Sequence, residues 1–560
     1  MDTPLPPEIN ITTLNCWGLK FNISKLRQPR LQEIARQLAQ ATPQPTIVCL
    51  QEIWSHADYL TVRQETHHLL PHGKFYFSGA FGGGLAILSQ WPIEEASMVP
   101  YSLNGRPTAF WRGDWYVGKG VASARVRYGP GDEDVLEVFN THTHAPYSSD
   151  RADTYRVHRE AQAWQLAKML RGAAERGHLV VAAGDFNMTP LSAAHRIITG
   201  CAPVRDVWRV LHPDSSLGCV EDEIERERGR DVPSAGFNVL ENGKRLGPGK
   251  PVVEVANETA DPRGKRLDYI FAGAGARELE DGTIGGWVVR DARVGMTQRH
   301  PELGCSLSDH FSVEATLVFH QTSREGLGSL NLKWPLPPGV CSSLSAFRRS
   351  TLRPGRPETL ITYDNNSTNN ADASPETASP AGGAFLQLHT PTASSNRSSY
   401  IQEQDQHSRP LSATDLDTQL LSSISLYPSP TPFTAADYDT LLSSLSSYQA
   451  REATQTKYRT LHFLSWVIVT IVCYIAVWFI PTHSENLTAA QNHGINFLLL
   501  LLSSLGLVAG CLDGLMSLLF FRGSEKRALK EFEWELKNGK CLTAGEGLGA
   551  ADEDIGAMKF

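Results

Sequence analysis

Val180-Val181-Ala182-Ala183-Gly184-Asp185-Phe186-Asn187-Met188-Thr189-Pro190 is the stretch on which the reading of this chain turns. Its four small apolar residues predict a buried strand, and Gly184 permits a close backbone approach where that strand ends. Asp185 and Asn187 stand two apart, so an extended backbone puts their side chains on one face. A carboxylate and a carboxamide there offer acceptors to a hard cation and a donor to a phosphate oxygen. The same residues also describe a strand followed by an ordinary polar turn, because Gly, Asp, Asn and Pro all favour turns. What decides between the two is the rest of the chain.

Four further strand ends carry similar groups. Ile9 to Leu14 runs into Asn15, Thr46 to Leu50 into Gln51-Glu52, and a strand at 135–141 into Thr141-His142-Thr143-His144-Ala145; Asp309-His310 leads into a last strand, Ser312 to Phe319. Packed sheets can gather such ends at one rim, and these residue types together predict a site for a hard cation and a phosphate. Further strands are expected at 75–78, 84–89, 120–128 and 266–271. Helices are expected over 30–40, with Leu31, Ile34, Ala35 and Leu38 on one face, and over about 151–176. Strands and helices mix without strict β-α-β alternation, which predicts an α+β sandwich of two packed sheets covered by helices.

The 560 residues exceed one ordinary domain. A net charge of −8 gives no electrostatic case for nucleic acid. Nine scattered cysteines without a C-x-x-C pair fit a reducing compartment better than a zinc site or a disulfide framework. No secretory signal is visible at the N-terminus. A catalytic domain is expected over 1–320 and a Ser/Thr/Asn/Pro-rich disordered linker over 321–455. Near the linker's end, Tyr438, Leu441, Leu442, Leu445 and Tyr448 recur at helical spacing, as in a short helix lying on a membrane. Two apolar runs follow within 456–525, about 461–480 and 495–521, each long enough to cross a hydrocarbon core of about 30 Å. Asp513 is the one residue inside them among Asp, Glu, Lys and Arg. The turn between them lacks Lys and Arg, whereas Arg451, Lys457 and Arg459 precede the pair and Arg522, Lys526, Arg527 and Lys530 follow it. That asymmetry puts the catalytic part and a tail, 526–560, on the cytoplasmic side. The sequons at Asn366 and Asn396 are then cytosolic and unmodified, and that at Asn486 lumenal.

In order along residues 9–319, Asn15, Gln51-Glu52, Gly184-Asp185-Phe186-Asn187, Arg266-Leu267-Asp268-Tyr269 and Ser308-Asp309-His310 resemble the motifs of the endonuclease/exonuclease/phosphatase superfamily. Within it, Asn15-Cys16-Trp17-Gly18, Thr141-His142-Thr143-His144-Ala145 and the Gly113–Gly120 loop resemble the neutral sphingomyelinase branch. The two C-terminal apolar runs match the architecture of fungal-type inositol phosphosphingolipid phospholipase C. The resemblance implies a four-layer α/β sandwich and Mg²⁺-dependent phosphoester hydrolysis, with Mn²⁺ as an alternative ion. It implies Glu52 as the metal ligand with Asn15 beside it, Asp309 in support, and His310 as the base oriented by Asp268. Asp185 and Asn187 would position water and phosphoryl group, and His142 would donate toward the leaving oxygen, a task His144 could share. Asp114 and Lys119 would form a regulatory pair.

The Gly113–Gly120 loop nearly fits a nucleotide P-loop, but Gly120 stands where the metal-binding hydroxyl is needed. Its Phe110, Trp111, Trp115 and Tyr116 suggest a lipid interface, with Arg112 and Lys119 meeting anionic headgroups. The expected partners are a membrane sphingolipid and an anionic phospholipid activator, with no nucleic acid; endoplasmic reticulum and mitochondrial membranes both fit. A nuclease or deadenylase explains the core motifs without using the helix pair. An inositol-phosphate phosphatase would carry Trp-x-Gly-Asp-x-Asn-Tyr-Arg, whereas here Ala183 precedes Gly184 and Met188 follows Asn187. A scaffold with a dead site would not need the full polar set. Headgroup, organelle, oligomeric state and the role of Asp513 stay open.

Overall fold

The computed structural model describes residues 5–19, 24–147, 155–211, 266–322, 411–424, 433–483 and 487–544. Strands β1 (Glu8–Asn15), β2 (Ile47–Gln51), β3 (His72–Tyr76) and β4 (Leu85–Ser89) open one sheet. Strands β5 (Ile93–Pro100), β6 (Gly120–Arg127), β7 (Val135–His142), β8 (Leu179–Asp185), β9 (Arg205–Asp206) and β10 (Asp268–Ala272) form a second. Strands β11 (Arg277–Glu278), β12 (Ile284–Gly295) and β13 (Ser312–Thr322) return to the first. The sheet orders are β11-β12-β13-β1-β2-β4-β3 and β5-β6-β7-β8-β10-β9. Both are mixed: β1 and β2 are parallel, as are β7 and β8, and the other pairs are antiparallel.

Alternation along the strands builds the layers. Val181 and Ala183 of β8 enter the core between the sheets with Ile11, Ile47 and Cys49. Val180 and Ala182 face the opposite side, toward Trp164 and Leu170. Val48 and Leu50 of β2 turn outward to Leu31 and Ile34. Helices α1 (Arg27–Gln40) and α2 (His56–Thr66) thus cover the first sheet. After the single turn α3 (Asp114–Val117), α4 (Arg156–Glu175) and α5 (Ala193–Cys201) cover the second. A strand buried on both faces reads as a continuous apolar run, which is why Val180–Ala183 shows no polar alternation. One polar pin crosses the inner layer: Gln51 Nε2 donates to Thr13 Oγ1 (3.0 Å) and to Asn140 Oδ1 (2.7 Å).

Register sets the site. His142 lies opposite Asp185, and Asp185 opposite Asp268, on three adjacent strands. In the other sheet Asn15 lies opposite Gln51, one residue before Glu52. The loop before β13 delivers Asp309 and His310 to the same end, because Val313 pairs with Thr13.

Beyond the sandwich, the short helix α6 (Val207–Leu211) is followed by α7 (Ala413–Ile424), α8 (Ala435–His483) and α9 (Ala489–Leu515). A π-helical segment, Met516–Glu525, joins α9 to α10 (Lys526–Ala544). Two expectations change here. Part of the stretch read as linker is helical and packed: Leu420 of α7 meets Ile284 and Val288 of β12. Residues 323–410, with Asn366 and Asn396, lie outside the described residues, as does Asn486. The amphipathic face of 438–448 does not lie on a bilayer. Tyr438, Leu441, Leu445 and Tyr448 are buried with Trp164 of α4 and Leu529, Phe532 and Leu536 of α10. A helix stripe reports that something apolar covers it, and here the cover is protein.

The apolar halves of α8 and α9 behave oppositely. Their most apolar stretches are only 11% and 17% buried, and both are long and apolar enough to cross a membrane. Trp478 of α8 is 79% exposed and Leu505 of α9 64%. The two helices pack where Gly506, Gly510 and Gly514 admit Phe463 and Trp466. Asp513 is paired with Arg459 and, at 2.8 Å, with His462 Nδ1, both on α8. That partner set explains an acidic residue in an apolar run.

Candidate active site

Asp185 is the centre of the rim. Gly184 before it has φ 147°, and a Cβ there would stand 1.9 Å from the Thr141 carbonyl oxygen, so only glycine lets β8 close on β7. Asp185 Oδ1 accepts from the Asn187 backbone N–H (3.0 Å), and Oδ2 accepts from Asn15 Nδ2 (3.1 Å). His142 Nε2 stands 3.4 Å from the same Oδ2 and His310 Nε2 3.8 Å. Asn187 adopts φ 45°, so Asp185 and Asn187 are related by a turn and not by a shared strand face. The Asn187 side chain donates to the Thr143 carbonyl oxygen (3.2 Å).

His310 Nδ1 donates to Asp268 Oδ2 at 2.7 Å, which fixes the ring and leaves Nε2 toward the cleft. Burial opposes a charge on His310, yet the Asp268 and Asp185 carboxylates outweigh it and raise its pKa well above the ordinary imidazole value. His142 is the reverse case. Burial, then the nearby Lys119 charge, push it down to about 3, so it is neutral. Its Nδ1 is buried with no partner among the described residues.

Glu52 offers a buried acceptor of the kind a cation uses. Its Oε1 accepts from Asn15 Nδ2 (3.2 Å), and its Oε2 is buried with no hydrogen-bond partner among the described residues. Burial, reinforced by the Asp309 carboxylate, pushes Glu52 up to about 7. A buried acceptor facing a second carboxylate fits a hard divalent ion. Asp185, Asp268 and His310 also bring one donor atom each within 4.8 Å of one another. Asp268 Oδ1, like Glu52 Oε2, is buried with no hydrogen-bond partner among the described residues, so both groups offer a free acceptor to a cation. Glu52 itself sits at φ 56°, a sparsely populated conformation for a non-glycine residue, and such strain concentrates at functional sites.

Asp114 and Lys119 form a second, buried layer. Lys119 Nζ lies 3.0 Å from Asp114 Oδ1 and donates to the Thr143 carbonyl oxygen at 2.7 Å, the acceptor that Asn187 also uses. Lys119 is therefore enclosed, not presented to headgroups as its sequence context suggested; its charge is needed to hold Asp114. Burial works against a charged Asp114, but Lys119, His144 and a 2.5 Å hydrogen bond from Tyr147 hold it down at about 2. His144 belongs to this layer: its Nε2 lies 3.7 Å from Asp114 Oδ2. The structure thus separates the two histidines, His142 at the rim and His144 behind it. Of the loop aromatics, Trp111 is 95% exposed, Phe110 is exposed, and Trp115 touches Phe520 at 6.2 Å between ring centroids.

Sequence reading missed Arg30, which sits fully buried on α1. Its guanidinium donates to the carbonyls of Cys16 (3.3 Å), Trp17 (2.9 Å) and Leu307 (2.6 Å), tying the turn after Asn15 to the loop carrying Asp309 and His310. Nothing local distinguishes such an arginine from a solvated one. Arg266 was read only as part of a motif; it forms a buried two-bond pair with Asp206 (3.0 and 2.6 Å) beneath Asp268 in sequence.

Compared with known proteins, residues 12–310 match the Endonuclease/Exonuclease/phosphatase family. The chain is 41% identical to the inositol phosphosphingolipids phospholipase C of Schizosaccharomyces pombe over 334 residues, covering 57% of this chain and 70% of that protein. It is 30% identical to the Saccharomyces cerevisiae protein of the same description, covering 58% and 67%. It is likewise 30% identical to human sphingomyelin phosphodiesterase 2, covering 60% and 70%.

Proposed function

The chain belongs to the endonuclease/exonuclease/phosphatase family, and from that premise we propose that it is a membrane-anchored, Mg²⁺-dependent phospholipase C acting on sphingolipids. It cleaves the phosphodiester on the ceramide side, releases a phosphorylated headgroup and leaves ceramide in the bilayer. The observation that carries this reading is the meeting of Glu52, Asn15, Asp185, His142 and the Asp268–His310 pair at one rim, in a chain similar along its catalytic part to proteins named for that activity.

The metal would be held by Glu52 with Asn15 beside it and Asp309 in support; Mg²⁺, or Mn²⁺, supplies charge compensation at the phosphate oxygens. The remaining chemistry belongs to side chains. In its neutral form, reached only above its raised pKa, His310 takes the proton of the attacking water at Nε2, while Asp268 keeps the ring oriented through Nδ1. Asp185 and Asn187 position the water and the phosphoryl group. Neutral His142 donates a hydrogen bond toward the leaving oxygen.

The apolar halves of α8 and α9 anchor the enzyme, with the catalytic domain on the cytoplasmic side, in the endoplasmic reticulum or the mitochondrial membrane. Exposed Phe110 and Trp111, on a loop that meets Phe520 through Trp115, turn the mouth toward lipid. The basic flanks 451–459 and 522–530 suit an anionic phospholipid activator, with Arg459 already engaged by Asp513. The test uses detergent-solubilised protein with sphingomyelin, inositol phosphosphingolipid, an inositol phosphate and an oligonucleotide, each with Mg²⁺ or with chelator. Metal-dependent headgroup release is the expected result. Oligonucleotide cleavage outpacing lipid turnover would move the enzyme to the nuclease branch, and release of inorganic phosphate from an inositol phosphate to the phosphatase branch.

A further inference from the structure

Behind the Asp114–Lys119 layer lies a buried polar cluster that the chemistry above does not use. Its hub is Tyr448 of α8. The Tyr448 hydroxyl accepts from Arg106 Nε (3.0 Å), is 2.8 Å from His158 Nε2, and donates to Glu525 Oε1 (2.7 Å). The direction of the histidine bond is fixed by the other side of the ring. The Gly105 backbone N–H donates to His158 Nδ1 at 2.9 Å, so the proton of a neutral His158 sits on Nε2 and points at Tyr448. Burial favours that neutral form. The phenol therefore uses two acceptor positions and one donor, the full capacity of its oxygen. Glu452, one turn further along α8, faces Arg106 at 3.3 Å. His158, Glu525, Glu452 and Tyr448 are all buried.

The cluster's outer members lead to the membrane side and its inner members to the site. Tyr448 and Glu452 stand on the helix that runs unbroken into the first apolar span, and Glu525 ends the segment that follows the second. Inward, three consecutive loop residues make three attachments: Asn104 Nδ2 donates to the Asp114 carbonyl oxygen (3.2 Å), Gly105 holds His158, and Arg106 holds Tyr448. The Arg106 guanidinium also covers Tyr155 at 4.6 Å, and Tyr155 stacks on His144 at 4.1 Å. His144 faces Asp114, Asp114 pairs with Lys119, and Lys119 shares the Thr143 carbonyl with Asn187. Every step is a packed or hydrogen-bonded contact, the kind of continuous network through which a distant element can bias a site.

We propose that Tyr448 is a positioning residue: through Arg106 and His158 it makes the placement of the Asp114–Lys119 loop depend on how the two membrane-side helices are docked. This deepens the function proposed above and rests on it for the reaction, but not for the contact path. A helix pair that shifts against α4 would loosen residues 104–106 first and Asp114 and Lys119 after them.

The test compares full-length wild type, Tyr448→Phe and Phe532→Leu. Phe532 packs in the same helix interface without joining the polar cluster. Hydrogen exchange is measured on metal-free, substrate-free protein, and turnover on sphingomyelin in mixed micelles with Mg²⁺. Tyr448→Phe should exchange faster at residues 104–119, and its kcat should fall about tenfold with KM within about twofold of wild type. Phe532→Leu should lower thermal stability while leaving exchange at 104–119 and kcat near wild type. Unchanged exchange at 104–119 in Tyr448→Phe overturns the proposal, as does equal loosening of that loop by Phe532→Leu. If wild type proves inactive on sphingolipid, the substrate reading fails, and the exchange comparison still decides the coupling.

Discussion

Two carboxylates in this protein are shielded from water and shift in opposite directions. Asp114 has a lysine at 3.0 Å and sits near 2; Glu52 has no such ion pair among the described residues, ends in an oxygen without a partner among them, and sits near 7. The difference teaches where the chain supplies its own counter-charge and where it leaves that to something bound. Lys119 is spent inside the fold, so the loop around it is scaffold. Around Glu52 the Asp309 carboxylate adds to the cost of burial, a demand for positive charge that a bound cation would meet.

The strongest way to break this division is at the rim. His310→Ala should lower kcat/KM by about 10²–10⁴-fold with an unchanged circular dichroism spectrum; near-normal turnover would show that the reacting half lies elsewhere. Next, Mg²⁺ at a hundred times its dissociation constant should stabilise the wild type by about 2.7 kcal/mol, read by thermal denaturation. Glu52→Gln should lose most of that gain, and an equal gain in both would put the ion among Asp185, Asp268 and His310 instead.

On the scaffold side, Asp114→Asn should cost about 2 kcal/mol at pH 7. The sign follows from a pKa depressed from 3.8 to about 2. The stabilisation is fully present above about pH 4 and is lost as pH falls toward 2. Denaturation of both proteins across that range should therefore converge at the acid end, and a gap that persists there would contradict the charge pairing. Smallest of all, Trp111→Ala should leave thermal stability unchanged and raise KM on vesicles about threefold. No change on vesicles would separate the exposed aromatics from the membrane.

The rim was legible because Asn15, Glu52, His142 and Asp185 each close an apolar run read as a strand, and Asp309-His310 opens another. Three of its neighbours, His142, Asp185 and Asp268, are then placed by register alone. Strand β5 was not read, since its burial is patchy and half its residues face water; β12 was hidden by its glycines and charges. Lys119 was misplaced because a basic residue among aromatics looks the same at a lipid surface as in a buried ion pair. The stripe at 438–448 failed for a related reason. Periodicity gives the width of an apolar face but not its occupant, and α10, which supplies Leu529, Phe532 and Leu536, shows no uninterrupted apolar run of its own.

Helix α8 has 49 residues, and no glycine or proline interrupts it from Ala435 to Ile480. From Tyr448 to Leu461 such a helix rises about 20 Å. On the membrane-anchored reading proposed above, the height of the catalytic mouth over the bilayer is then a built-in standoff, not the reach of a tether. One inserted residue between them would lift the domain by only about 1.5 Å but swing it by about 100°, turning the mouth away from the surface it serves.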